Sequence, residues 1–425
     1  MGNFWLKSVI DRTKILTELN ALTQQKIIRS PIIYQRMKDP ALLKFYYYAK
    51  NKTLIDRLEI EGSSPPDLFI GRIGYPYVFI GPLVAPTKDN TSLLGMPELW
   101  VGKNIESIVE FRMQMVRGTH RVKVTDVDTG KIVGLVQELA LAKNPADVEA
   151  EFTKKPFARI RLDDEVQPYG PSAPLKDMMV SSATTDQKIE KAYYDEDLKA
   201  FDAVVNLYEK GSLVSKIQKA FSAGLFGLKK NRKFVPTRWS ITAVDSMLSL
   251  NLLEKVKKFP LINECRVYET IALDNLWFIL MIPSYWAYEL IEAWYPKTVW
   301  NLEGQTTVMY SSHEFFEGRS TYAEIGGCYY ASRLALSEFL NKERRQATVI
   351  VFREAHPGYI LPVGVWNVRE HVRLALRNNP MKFNTIKDAS NYIFSKLHIP
   401  LKNWFANSNI LKHLKFQKKI ADYFK

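Results

Sequence analysis

The chain has 425 residues, 46% of them hydrophobic and 24% charged, the balance of a folded globular protein with room for two or three domains. A net charge of +14 and a pI near 9.4 favour polyanionic partners such as nucleic acid. Two lone cysteines, Cys265 and Cys328, exclude a thiolate zinc ribbon and a disulfide-dense secreted fold, and the most apolar stretch, 276–282, is far short of the roughly 20 residues that span a membrane.

In chain order, residues 4–60 carry apolar residues at helical spacing, with Asp39-Pro40 as a helix start. Residues 68–82 read as two short strands around a Gly/Pro turn. Residues 121–136 read as a hairpin with Asp128-Thr129-Gly130 at its turn. The Pro, Gly, Ser and Thr content of 167–186 predicts a mobile loop. From 187 to about 229 the spacing is helical. Strands are expected over 266–272, 276–282 and 347–353, and helices over 329–343 and 368–377, with a turn-rich divider at 301–318. The fold class is α+β, with mainly antiparallel sheets in two packed domains and a mobile C-terminal tail.

That tail carries the sharpest motif. Gln417, Ile420, Tyr423 and Phe424 follow the spacing of a docking peptide for a ring-shaped DNA sliding clamp: a Gln for a small polar pocket, then an aliphatic residue and two aromatics that one helical turn brings to a single face. The other reading is an amphipathic helix packed on its own domain, with Leu411, Leu414, Phe416, Ile420 and Phe424 inward.

In the body, Arg72, Arg112 and Arg117 are candidates for bidentate contacts to phosphate, and Gly71, Gly74 and Gly81 for tight turns or close backbone approach. Lys229, Lys230, Arg232 and Lys233 precede Arg238 and Trp239, a mixture of cations and an indole that suits a nucleic-acid backbone and a stacked base. The alternative for Trp239 is a buried core indole. A second function, an enzyme acting on DNA or a nucleotide, would need Arg72, Arg238, Asp245 and Glu354 to converge. Glu354 and His356 at a strand end offer acid–base chemistry, but surface charge is the commoner use of such a pair. The six histidines show no HExxH and no paired ligand spacing, so neither metal nor cofactor is expected.

The chain resembles the archaeal Nre family of DNA-repair proteins, NreA type, over most of its length. The resemblance lies in Pro65-Pro66-Asp67-Leu68-Phe69-Ile70-Gly71-Arg72-Ile73-Gly74-Tyr75-Pro76 with Gly81-Pro82, and in Phe111-Arg112 with Arg117-Gly118. It continues through Arg232-Lys233-Phe234-Val235-Pro236-Thr237-Arg238-Trp239 to Asp245, then Gly326-Gly327-Cys328-Tyr329-Tyr330-Ala331, Arg344-Arg345-Gln346-Ala347 and Pro362-Val363-Gly364-Val365-Trp366. It implies an N-terminal domain over 1–300, a C-terminal domain over 301–410 and a clamp-binding tail over 411–425. It further implies PCNA, the sliding clamp, and DNA as partners, no membrane, and a cytoplasmic, nucleoid-associated place of action. Many members carry an N-terminal cysteine cluster; the corresponding 24–34 region has none.

Overall fold

The computed structural model describes residues 55–157, 169–181, 183–298, 300–301, 304–359 and 361–416. Two six-stranded mixed sheets organise them. The first contains β1 (Glu59–Ser64), β2 (Tyr77–Ile80), β3 (Leu83–Val84), β4 (Val116–Lys123), β5 (Ala146–Phe152) and β6 (Ser172–Ser181), in the order β1-β5-β6-β4-β2, with β3 also on β4. The β4–β6 pair is parallel. Between β3 and β4 lie α1 (Ser92–Gly95) and α2 (Ile105–Met113), and α3 (Lys131–Leu141) follows β4.

Three helices, α4 (Gln187–Tyr194), α5 (Ala200–Glu209) and α6 (Val214–Ser222), then lead to α7 (Thr237–Val256). The second sheet contains β7 (Cys265–Ala272), β8 (Asn275–Ile282), β9 (Ala287–Trp294), β10 (Val308–Glu314), β11 (Thr348–Ala355) and β12 (Met381–Phe383), in the order β10-β9-β11-β8-β7-β12. Here β9 and β11 are parallel, joined by a crossover through α8 (Gly327–Glu343). Helices α9 (Trp366–Arg377), α10 (Ile386–Lys396), α11 (Leu401–Asn407) and α12 (Asn409–Phe416) complete the described chain. No helix among the described residues is long and apolar enough to cross a membrane.

Helix α7 contributes apolar side chains to two cores along one broad buried face. Val244, Leu248 and Leu252, four apart, pack with the first sheet, while Ile241, Leu253 and Val256 pack with the second. A third core on the far face of the second sheet takes Phe278, Leu280, Phe352, Ile393 and Trp404. The second sheet also draws strands from both sides of the expected division near residue 300.

Four sequence expectations differ from the structure. The second arm of the 121–136 hairpin is helix α3, whose Val133, Val136, Leu139 and Ala140 face the core at helical spacing. The expected loop at 167–186 contains β6, where Ala173, Leu175 and Met178 are buried on β4 and β5. The turn-rich 301–318 segment contains the edge strand β10. Of the two strands expected over 68–82, β2 forms; Leu68 makes a single bridge to Pro82. Arg117 explains the last case, because its Nη2 takes the carbonyls of Phe69 (3.4 Å) and Phe79 (3.1 Å). A side chain there stands in for part of a strand ladder.

Candidate functional site

Two segments that stood out in the sequence, around Ile70 and around Thr237, meet at the start of α7. The Ile70 N–H donates to Thr237 Oγ1 (2.8 Å) and the Thr237 N–H donates back to the Ile70 carbonyl (2.9 Å). Arg72 and Trp239 are exposed and Arg238 is half-buried. Gly74, at φ +91°, sits in the turn between Arg72 and the start of β2.

Trp239 is 44% exposed and its ring lies 5.2 Å from that of Tyr75, itself 53% exposed. The pair sits where the chain enters β2. On the outer face of that strand, Tyr77 and Phe79 stand opposite Lys123 and Arg121 of β4, and the Arg121 guanidinium lies 4.6 Å from the Tyr77 ring. Exposed Ile73 completes an aromatic surface edged with cations.

The other sequence candidates have different fates. Arg112 is buried and bonded to Asp67 (2.8 Å), which Lys219 also faces at 3.3 Å. Arg117 is buried with its guanidinium 4.2 Å from the Phe69 ring and 5.5 Å from that of Tyr169. Burial pushes its pKa down to about 10, which leaves it charged at neutral pH. Both arginines hold the fold and are closed to phosphate. Arg232 is half-buried over Tyr193 and bonded to the carbonyls of Gly227 and Asp195, so it pins its loop; Lys233 is exposed. Gly81 is a packing position: a Cβ there would stand 2.0 Å from the Gly118 carbonyl oxygen.

Beyond Arg238 the surface opens into a cavity of about 540 Å³. Its walls are aromatic: Trp294 from β9, Trp300 and Tyr310 from the β9–β10 region, and Tyr322 and Tyr359 from the connections into α8 and α9. Its floor is polar. Arg353 of β11 lies within 4.8 Å of the Trp277 ring and 4.7 Å of the Trp294 ring, donates to Glu292 (2.7 Å) and Asn275 (2.9 Å), and leaves Nη2 without a partner. Burial alone would lower the Arg353 pKa; Glu292 beside it holds it above the usual arginine value. Asn367, also buried, donates to the Tyr359 hydroxyl (3.3 Å) and leaves Oδ1 unpaired. At the mouth, Glu324 accepts two hydrogen bonds from Arg319 and one from Ser312, which hold its carboxyl down at about 2.

The cavity is also where three helices begin. Arg238 lies in the first turn of α7, Gly326 and Cys328 flank the start of α8, and Gly364, Asn367 and Val368 frame the start of α9. Their N-caps are Pro236, Gly326 and Val365, and none of the three ends has a side-chain cap. Helix N-termini carry unsatisfied N–H groups and partial positive charge.

The four residues of the enzyme alternative are not gathered at this site. Arg238 lines the cavity and Arg72 is on the outer surface. Asp245 is buried against Arg369 and Gln218. Glu354 is fully buried away from the cavity, with its oxygens accepting from the N–H groups of His398 and Ile399. Its neighbours His356 and His398 lie at 3.3 and 3.2 Å, and the three ligand atoms fall within 4.8 Å of one another, close enough for one metal ion. The carboxylate is already satisfied by the protein, so this trio caps the turn before α11. Sequence spacing alone did not reveal it, because His398 arrives from a distant turn.

Sequence reasoning also missed the aromatic walls and Asn367. The signal was present in part: Gly326, Cys328, Pro362 and Gly364 all line the cavity and all lie in stretches that carry the family resemblance. Gln417, Ile420, Tyr423 and Phe424 lie outside the described residues. The helix before them, α12, is docked: Ile410 and Leu411 are buried, and Glu289 accepts the N–H groups of Asn409 and Ile410.

Fold and site together define a two-sheet α+β protein with an aromatic cavity seated on helix N-termini. Residues 34–301 match the family described as Archaeal Nre, N-terminal, and residues 314–423 match Archaeal Nre, C-terminal. The chain is 44% identical to the DNA repair protein NreB of Archaeoglobus fulgidus over 355 residues, 83% of this chain and 89% of that one. It is 36% identical to the DNA repair protein NreA of the same organism, covering 85% and 90% of the two chains. Against the DNA repair protein NreA of Haloferax volcanii it is 31% identical, covering 88% and 92%. No solved structure matches. The chain belongs to the archaeal Nre family.

Proposed function

We propose that this chain is a DNA-repair protein that engages DNA through the Tyr75–Trp239 surface and is delivered to it by a PCNA-type sliding clamp held by the 417–425 peptide. One observation carries the DNA reading: two exposed, mutually packed aromatic rings sit beside Arg238, at the mouth of a deep cavity. Exposed rings offer stacking faces to unpaired bases, and the neighbouring cations Arg72, Arg121 and Lys123 suit a phosphate backbone. The net charge of +14 and the names of the relatives agree with this use. Clamp tethering raises the local concentration at DNA, so modest direct affinity suffices.

The test measures clamp binding and single-strand DNA binding by the intact chain, by the chain lacking 417–425, and by Trp239→Ala. Deletion is expected to abolish clamp binding and spare DNA binding. Loss of one stacked ring is expected to cost about 1–3 kcal/mol of DNA affinity with clamp binding intact. Unchanged clamp affinity in the deletion sinks the tether, and unchanged DNA affinity in Trp239→Ala sinks the surface.

A further inference from the structure

The cavity has features that a docking surface for a DNA backbone does not need. Its volume, about 540 Å³, lies within the roughly 300–1,000 Å³ typical of small-molecule sites. Its walls carry five aromatic side chains, the residue type that packs against a flat ligand. Its floor holds two buried polar atoms that nothing in the protein satisfies, a donor on Arg353 and an acceptor on Asn367. Buried polar atoms are nearly always paired, and each one left open costs free energy. A donor and an acceptor lining the same cavity offer the two kinds of contact that the polar edge of a heteroaromatic base needs. If the Asn367 amide is turned over, it offers a donor instead, and the site still presents an unpaired polar pair.

The charge pattern adds the rest of the ligand. Arg353 is balanced by Glu292, so the floor is close to neutral and suits an uncharged ring. Arg238 and the three uncapped helix N-termini bring positive potential to the same cavity, the arrangement that receives phosphate.

We infer that this cavity binds a single nucleotide, with its base between the aromatic walls against Arg353 and Asn367 and its phosphate toward Arg238 and the helix N-termini. For the source of that nucleotide the inference rests on the DNA reading above: a unit turned out of a strand lying on the Tyr75–Trp239 surface would enter at Arg238. Extrusion into a fitted pocket is how proteins inspect a base hidden in the stack. Free nucleotide is the other source of the same chemistry.

Two arms separate the sources. The full chain is titrated with each of the four deoxynucleoside monophosphates, read by the intrinsic fluorescence of the cavity tryptophans. It is separately titrated with a single-stranded oligonucleotide carrying one 2-aminopurine, read by anisotropy for binding and by 2-aminopurine emission for the environment of the base. Asn367→Leu removes the floor acceptor, and Trp300→Ala removes an exposed wall whose loss does not threaten folding. The expected result is saturable monophosphate binding, weakened at least tenfold by Trp300→Ala. A change in 2-aminopurine emission on DNA binding should be lost in both variants while anisotropy is nearly unchanged. If DNA binds but no monophosphate does and emission does not move, the cavity inference is overturned and the DNA reading stands. If monophosphates bind and DNA does not, the cavity inference stands with free nucleotide as its source and the DNA reading falls. Monophosphate binding that is indifferent to Trp300→Ala places the ligand elsewhere and also overturns the inference.

Discussion

Asp245 and Arg369 meet in the interior through hydrogen bonds of 2.9 and 3.1 Å, and the pair ties the central helix α7 to α9. Around it, Gln218 donates to Asp245, and Glu370, Arg373, Glu338 and Tyr208 extend the network to α8 and α5. A buried charge that loses its partner is far costlier than a pair removed whole. Asp245→Asn should therefore destabilise the protein by about 3–5 kcal/mol, whereas Asp245→Leu with Arg369→Met should recover most of that loss. Urea unfolding of the two variants checks the ordering.

Surface and interior arginines should separate cleanly by assay. Arg121→Gln removes an exposed cation next to Tyr77, so it should lower the salt dependence of DNA binding by about one phosphate contact and leave stability nearly unchanged. Arg112→Met leaves Asp67 facing only Lys219 in the interior, so it should lower stability by several kcal/mol and leave the salt slope alone. A reduced slope in Arg112→Met with unchanged unfolding would contradict its assignment as a fold-holding residue.

His371 gives an acid limb to the stability curve. It is buried near Trp277 and Trp366, and burial, helped by the charge of Arg353, pushes its pKa down to about 3. For a base with a lowered folded-state pKa, the unfolded chain takes up the proton first. Stability from this group is present above pH 6.5 and is lost as pH falls from 6.5 toward 3, by up to about 1.4 kcal/mol per pH unit. His371→Phe should flatten that limb in denaturation curves taken between pH 7 and pH 4.

Gly81→Ala should be severely destabilised. The added Cβ would stand 2.0 Å from the Gly118 carbonyl oxygen and 2.6 Å from its carbon, and that neighbour is strand backbone with little room to give. Gly102→Ala provides the contrast: it has φ +81° but nothing within 4 Å, so its cost should be limited to backbone strain of about 1 kcal/mol. Thermal unfolding of the pair distinguishes collision from strain.

Local chemistry explains what was legible in the sequence. The strands β7, β8 and β11 and the helices α8 and α9 were expected close to where they occur, because their apolar patterning is continuous and their ends are marked. Strand β6 was hidden by Pro174, Ser172 and Ser181, which read as loop until a parallel partner, β4, gives them a ladder. At the Trp239 surface only Arg238 and the indole are adjacent in the chain; Tyr75, Arg121 and Lys123 arrive from other segments, so the sequence showed one part of it. The cavity was not legible, because Trp294, Tyr322, Arg353 and Asn367 come from four separate elements and no spacing rule links them. Arg112 and Arg117 were misjudged for the opposite reason: type suggested phosphate, and only burial reveals that a carboxylate and two carbonyls already hold them.

The pairing of β9 with β11 has a consequence for how such a chain can be divided. The first family match ends at residue 301 and the second begins at residue 314, yet β9 lies before that gap, β10 begins inside it and β11 lies after it, with β10 and β11 on the two edges of β9. A gene cut at the gap would divide the second sheet between two polypeptides, and neither could assemble it alone. The halves are thus grammatical parts of one sentence, and a nucleotide cavity lined from both of them would exist only in the uncut protein.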